Sequence, residues 1–465
     1  MKPTSLLGIS LELIGEVAQP GPYPADARVG RFFRGRRFLG SRDRRFISGA
    51  VYAWLRFHDR TMPRWRRWLE LRNLEAIERG EGALLLDILA LAHEGSFPWE
   101  FNPTCEALLE WGEMDDHHLD EQVRQAASDS FLDEQCWPED PKERFAAECS
   151  MPPWLATMIL DQRGREKGLE LARELCSPAC VDLRVNSLRA SRKKVMRSLQ
   201  RETDAGVELS RFSPTGLRLE RRINLTATTA SRKSWIEIQD EGSQAAVFSA
   251  DAAPGMTVID VCAGSGGKTL ALADIIFRQE EGVEVPAHLQ SRLVACEIHQ
   301  KKLQELRRRT KDAGLSSRIE YCLIGEYGDL TRTLPRAHLV FVDSPCTGLG
   351  TLRRNPEAKN RYGPEDVVRF QALQLEILER FASLVRPRGR LVYVTCSFLD
   401  AECDGVVKLF EERHPEFSPS PSFWAGKRLP AACLDGHKIR LEPSTSGTDA
   451  FFVASWRLEK QATPD

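Results

Sequence analysis

The stretch "MTVIDVCAGSGGKTLALADII" at 256–276 limits the fold more than any other part of this 465-residue chain. A β-branched apolar run ends in a glycine-rich turn, and the turn opens directly into an alanine- and leucine-rich segment of helical character. A strand and helix joined this way form half of a βαβ unit, so a parallel partner strand must follow. "SRLVACE" supplies it and leads into the basic amphipathic segment "IHQKKLQELRRRTKDAGL". "RIEYCLIGEYGD", "AHLVFVD" and "GRLVYVTC" read as third, fourth and fifth strands. From residue 236 onward the order is that of an α/β, doubly wound, mostly parallel sheet. Glycines 264, 266 and 267 allow a ligand to approach the backbone, beside the free N–H groups of a helix start. The loop suits phosphate, dinucleotide or adenosyl ligands alike. A P-loop is disfavoured, because Cys262 stands where GxxxxGK[ST] needs its first glycine. Glu297, at the tip of the second strand, is placed to bind ribose hydroxyls, the alternative being a surface glutamate that caps the next helix.

The fourth and fifth runs each end in a cysteine: "VDSPCTG" carries Cys346, and "YVTCSF" carries Cys396. Ligands bind at the carboxyl ends of parallel strands. Both thiols, and Asp343 three residues before the first, are therefore expected to face one cleft beside the glycine loop. A single cysteine is usually a small buried hydrophobe, and Cys105, Cys176, Cys322 and Cys433 are read that way. Two cysteines that both end core strands are better read as chemical groups.

The rest of the chain divides in two. Residues 1–145 read as helical, with long amphipathic stretches and breaks at Gly and Pro, and "WPEDPKER" at 137–144 reads as a linker. Residues 151–235 alternate short helices and strands and suit a small α+β module. The net charge of −2 hides an asymmetry. Residues 28–72 hold 14 arginines against Asp43, Asp59 and Glu70, whereas residues 94–150 hold 16 acidic residues against three basic ones. The arginine face either binds phosphate backbone or pairs internally with the acidic segment, and most aromatics within it read as core. No apolar run reaches the roughly 20 residues of a membrane helix, and Glu12 interrupts the apolar start, which argues against a signal peptide. The 12 cysteines include no CxxC pair, so neither disulfides nor a metal site are expected, and a reducing cytoplasm is the default location.

"DVCAGSGGKT", "VDSPCTGLGTLRRNPEAK", "LVYVTCS" and "LEPSTSGTDAFFVA" together resemble the Sun/RsmB family of RNA (cytosine-5) methyltransferases, which use S-adenosylmethionine. "DLRVNSLRASR", "IQDEGSQAAV" and, more faintly, "GSRDRRFISGAVYAWLR" extend the likeness over most of the chain. The resemblance implies a Rossmann-like methyltransferase domain at 236–460. Before it would come a NusB-like RNA-binding helical domain (1–145) and a small RNA-contacting module (151–235). It implies Cys396 as the nucleophile toward carbon 6 of cytosine, Cys346 as the group that assists release, and Asp343 as a hydrogen-bond partner near N3. Cys262, Ala263, Gly264, Ser265, Gly266, Gly267, Lys268, Glu297 and Asp343 would line the cofactor site. Lys268, Arg353 or Arg354 could lower the thiol pKa. Three departures stand out: "CAGSGGK" replaces the common "CAAPGGK", "TDAFF" has alanine where glycine commonly follows the aspartate, and the usual aspartate after the third strand is missing. Glu326 or Asp329 in "GEYGD" could replace that last group. Small-subunit rRNA is the expected substrate of a monomeric enzyme, with tRNA the alternative. A different class of reading is an RNA-binding assembly factor that has lost turnover.

Overall fold

A computed structural model of the protein describes all residues except 20, 22, 79, 114–118, 129–130, 279–289, 326–332 and 460–465. Contacts divide these into two compact units, residues 1–177 with 352–364 and residues 178–351 with 365–465.

The first unit is helical. It contains α1 (Pro3–Ala18), α2 (Ala25–Gly35), α3 (Ser41–Leu71), α4 (Glu81–His93), α5 (Phe101–Gly112), α6 (Glu121–Ser128), α7 (Pro141–Cys149) and α8 (Pro153–Leu175). Its core gathers around α3, where Trp54, Trp65 and Trp68 are buried against α1 and α4. Asp87 of α4 lies inside this apolar cluster. It is tolerated because it accepts from Trp54 Nε1 at 2.9 Å and Trp65 Nε1 at 2.8 Å and meets His58 Nδ1 at 2.8 Å. The stretch expected as a linker is a helix start instead: Asp140 accepts from the backbone of Lys142 and Glu143, and Pro141 occupies the first turn of α7. α7 packs against both α8 and α3, so this unit runs past the expected 145 boundary to Ser177. In α8, Gly164 at φ 71° separates two helical halves.

The second unit begins with β1 (Val181–Val185), α9 (Arg192–Glu202), β2 (Val207–Leu209), β3 (Gly216–Leu219), α10 (Thr229–Arg232) and β4 (Ile236–Ile238). These strands form an antiparallel sheet in the order β2-β3-β1-β4. Then follow α11 (Glu241–Phe248), β5 (Thr257–Asp260), α12 (Gly267–Ile276), β6 (Arg292–Glu297), α13 (Gln300–Asp312), β7 (Ile319–Leu323), β8 (Ala337–Asp343), α14 (Pro364–Ala382) and β9 (Val385–Thr395). The chain closes with α15 (Asp404–Arg413), β10 (Phe417–Pro419), α16 (Phe423–Arg428), β11 (Leu434–Asp435), β12 (Lys438–Leu441), α17 (Pro443–Ser446) and β13 (Phe451–Leu458). The large sheet runs β11-β12-β13-β9-β8-β5-β6-β7, and β5 to β9 are mutually parallel. This is the doubly wound, Rossmann-like arrangement read from the alternating pattern. Successive residues enter two cores on opposite faces. Val258, Leu339, Phe341, Val392 and Val394 join one, and Ile259, Val340, Val342, Leu391 and Tyr393 the other. β5 pairs with β6 on one side and with β8 on the other, so strand order reverses there and a crevice opens at the carboxyl ends.

Candidate functional site

The crevice is a cavity of about 390 Å³ whose lining includes Cys262, Gly264, Lys268, Glu297, Asp343, Cys346 and Cys396. Register explains the meeting of the last three. Asp343 pairs with Val394 across β8 and β9, Ser344 N donates to Val394 O, and Gly350 N donates to Cys396 O. The two loops leave adjacent strands together, and the Cys346 and Cys396 Sγ atoms stand 3.3 Å apart in hydrogen-bond contact. That contact holds Cys346 below the ordinary thiol value. Together with burial, it pushes Cys396 well above the same value. The pair therefore gives up one proton readily and the second with difficulty.

Lys268, at the start of α12, donates to Asp343 Oδ2 at 2.7 Å. Burial disfavours its charge, but Asp343 and the two sulfurs outweigh burial and raise its pKa. The ammonium is thus a fixed positive charge that favours a thiolate on Cys396. Arg353 and Arg354, the other expected cations, belong to the first compact unit.

The glycine loop is shaped by two left-handed residues, Gly264 at φ 56° and Gly266 at φ 94°. A Cβ on Gly266 would stand 2.2 Å from Leu306 Cδ1, and the positive φ strains any other residue there. A Cβ on Gly264 would meet nothing nearer than Cys262 O at 3.9 Å, so the backbone borders open space. Ala263 is anchored through its N–H to Cys296 O at 2.9 Å. Glu297, only 5% exposed, accepts from Gly264 N, Ile298 N and His299 N, each at 2.9 Å. It both lines the cavity and braces the loop. Ala263, Ser265 and Gly267 border a second, more open hollow that shares Gly264, Lys268 and Asp343 with the first and also reaches Gln239. Glu326 and Asp329 lie outside the described residues. Sequence reading omitted Ile298, His299, Lys302, Ile377 and Phe381, which also line the cavity. The last two come from α14, between the two cysteine motifs and in neither, though their spacing of four marks one helix face. Ala450, which replaces the common glycine, sits at ordinary φ with its N–H on Gly350 O at 2.9 Å.

In the first unit the arginines of 28–72 include two contrasting sets. Arg60 and Arg64 both pair with Glu94, Arg67 pairs with Glu139, and Arg36 pairs with Glu12. Arg34, Arg37, Arg42 and Arg45 are exposed without an acidic partner among the described residues, beside Phe38, which is 70% exposed.

Two sulfurs that share one proton beside a fixed cation, with a carboxylate and a glycine-rich turn in the same crevice, are equipped for nucleophilic addition to a bound electrophile. Among the described residues no cluster suits a metal ion, and no helix is long and apolar enough to cross a membrane.

Comparison with known proteins places the chain in a family. A family model for the 16S rRNA methyltransferase RsmB/F matches residues 249–457, and one for the ferredoxin-like domain of RsmF/B-like methyltransferases matches 151–226. The probable ribosomal RNA small subunit methyltransferase B of Bacillus subtilis is 29% identical over 325 residues, covering 69% of each chain. The ribosomal RNA small subunit methyltransferase B of Thermus thermophilus is 38% identical over 225 residues, covering 48% of this chain and 50% of that one. The crystal structure of PH0851 shares the fold, with a TM-score of 0.73 at 22% identity over 99% of both chains. With the two models covering more than half of its length, the chain belongs to the RsmB/F family of methyltransferases.

Proposed function

We propose that the protein methylates carbon 5 of a cytosine in small-subunit ribosomal RNA, using S-adenosylmethionine, through a covalent Cys396 adduct at carbon 6. The observation that carries this reading is the pair of sulfurs 3.3 Å apart at the ends of β8 and β9, facing the glycine-loop cavity. Carbon 5 is a poor nucleophile until a thiolate adds to carbon 6 and turns the ring into an enamine. Cys396 performs that addition, with Lys268 favouring its charge. Asp343 accepts a hydrogen bond from a proton held at N3, and that proton offsets the negative charge that develops on the ring. Cys346 acts after transfer, when the carbon-5 proton leaves and the carbon–sulfur bond breaks.

The cavity suits S-adenosylmethionine. Open space borders Gly264, Glu297 presents a carboxylate for hydroxyl groups, Asp343 adds negative charge for a sulfonium, and Ile298, Ile377 and Phe381 offer apolar surface. When bound, this cofactor supplies an electrophilic methyl group. The residues that would hold it are Cys262 to Lys268, Glu297 and Asp343. Glu326 or Asp329 is the proposed adenine-side contact.

The exposed arginines around Phe38 in the helical unit, and the antiparallel sheet that opens the second unit, are the proposed RNA contacts. The family relation favours ribosomal RNA, because the relatives named above are small-subunit ribosomal RNA methyltransferases. The test is tritiated methyl transfer to RNA from a strain lacking the protein, followed by bisulfite sequencing. Protection of a cytosine in small-subunit rRNA supports the reading, and a modified tRNA cytosine redirects it. Absence of any incorporation overturns it.

A further inference from the structure

Behind the two thiols lies a carboxylate to which neither the motifs nor the proposed mechanism gives a role. Glu402 sits in a short 3₁₀ turn six residues after Cys396 and is fully buried. Its Oε1 accepts from Thr347 N at 2.9 Å and from Gln374 Nε2 at 3.0 Å. Its Oε2 accepts from Thr347 Oγ1 and Ser397 Oγ, both at 2.6 Å. Four donors therefore converge on one carboxylate, and they come from the residue after Cys346, the residue after Cys396 and the helix α14. Gln374 extends the network by donating also to Pro345 O at 3.0 Å and accepting from Tyr393 OH at 2.9 Å. Burying a charge is tolerated only when it is this well satisfied, and the same bonds tie the two cysteine loops to α14.

We propose that Glu402 is the positioning residue of the thiol pair: by binding Thr347 and Ser397 together, it fixes the two sulfurs at hydrogen-bonding distance. Its second effect is electrostatic. Lys268, Asp343, Tyr393 and Glu402 are the charged or titratable groups that act on the pair, and Glu402 is the one whose negative charge bears on Cys346. That charge resists ionisation of Cys346 and so partly counters the lowering caused by Cys396. The role in turnover rests on the cytosine-methylation reading above, whereas the role in setting thiol reactivity does not.

Two variants separate geometry from charge. In Glu402→Gln the amide oxygen can replace Oε1 while the NH₂ group donates to the Thr347 and Ser397 hydroxyls, which can turn to accept. Glu402→Ala leaves the donors without their acceptor. The measurement is the pH-rate profile of iodoacetamide alkylation at Cys346 and Cys396, read peptide by peptide by mass spectrometry, alongside methyl transfer and melting temperature. Glu402→Gln is expected to alkylate Cys346 at lower pH, about threefold or more faster at neutral pH. It should keep kcat within about tenfold, because the cross-link survives. Glu402→Ala is expected to lose kcat by about a hundredfold or more with KM for RNA little changed. Unaltered alkylation profiles in both variants overturn the proposal, as does a kcat in Glu402→Ala equal to that of the parent. A shifted profile in an enzyme whose parent transfers no methyl group to RNA supports the role of Glu402 and refutes the function assigned above.

Discussion

Replacing Arg34, Arg37, Arg42 and Arg45 together with Gln should weaken RNA binding without touching the fold. All four are exposed and without an acidic partner among the described residues, so their loss leaves no buried charge behind. If each contacts one phosphate of a single-stranded segment, the log–log salt slope should flatten by up to about 2.8. Between about 50 and about 200 mM salt, the parent should then lose up to roughly 50-fold more affinity than the variant. Arg64→Gln is the control with opposite behaviour. That guanidinium is 8% exposed, donates to Glu94 and to Leu132 O at 3.0 Å, and lies 4.2 Å from the Trp137 ring centroid. Because Arg60 still reaches Glu94 at 3.2 Å, the cost should be about 2–3 kcal/mol rather than that of a fully orphaned charge. Filter binding across a salt series and a thermal melt on the same preparations suffice. An unchanged salt slope in the quadruple variant refutes RNA contact at this face. A melting temperature as low as that of Arg64→Gln refutes the claim that these side chains have no structural partners.

Three further expectations concern the cysteine site, the 352–364 segment and the glycine loop. Cys346→Ala should accumulate a protein–RNA species that survives denaturing gels, and adding Cys396→Ser should remove it; an adduct in the double variant means that the roles are reversed or shared. Lys359→Met should cost about 3 kcal/mol by chemical denaturation, because the buried ammonium donates to Arg56 O at 2.7 Å and Ser150 O at 2.6 Å and pairs with Asp59 at 2.9 Å; a loss below about 1 kcal/mol would contradict this reading. Burial, aided by Asp343 and Glu297, raises the Asp260 carboxyl from 3.8 to about 7. Asp260 binds its proton more tightly when folded, so its contribution is complete below about pH 4 and is lost as pH rises through about 7, on the order of 4 kcal/mol. Melting temperature should therefore fall less between pH 5 and 8 in Asp260→Asn than in the parent, and parallel curves would exclude it.

What sequence could and could not reveal follows from how local each signal is. The parallel strands were legible because buried strands are continuous apolar runs, and "AHLVFVD" and "GRLVYVTC" end where the site begins. The meeting of Asp343, Cys346 and Cys396 follows from the general rule for strand ends. Glu402 was not legible, since its partners come from residues 347, 374 and 397 and only the folded register brings them together. The stretch 137–144 misled because Pro and Asp mark linkers and helix starts alike; here Asp140 caps α7. The separation of the arginines left a signal that was not used: Arg60, Arg64 and Arg67 recur at helical spacing, and these three meet Glu94 and Glu139.

The central claim is that Cys396 forms a covalent bond to carbon 6 of cytosine. RNA containing 5-fluorocytidine blocks loss of the carbon-5 substituent, so an adduct formed during methyl transfer should be trapped. The parent enzyme, incubated with this RNA and S-adenosylmethionine, should yield a species stable on denaturing gels, with the nucleotide mapped by mass spectrometry to the peptide carrying Cys396. Cys396→Ser should yield none. A nucleotide on the Cys346 peptide, or full methyl transfer by Cys396→Ser, would contradict the account.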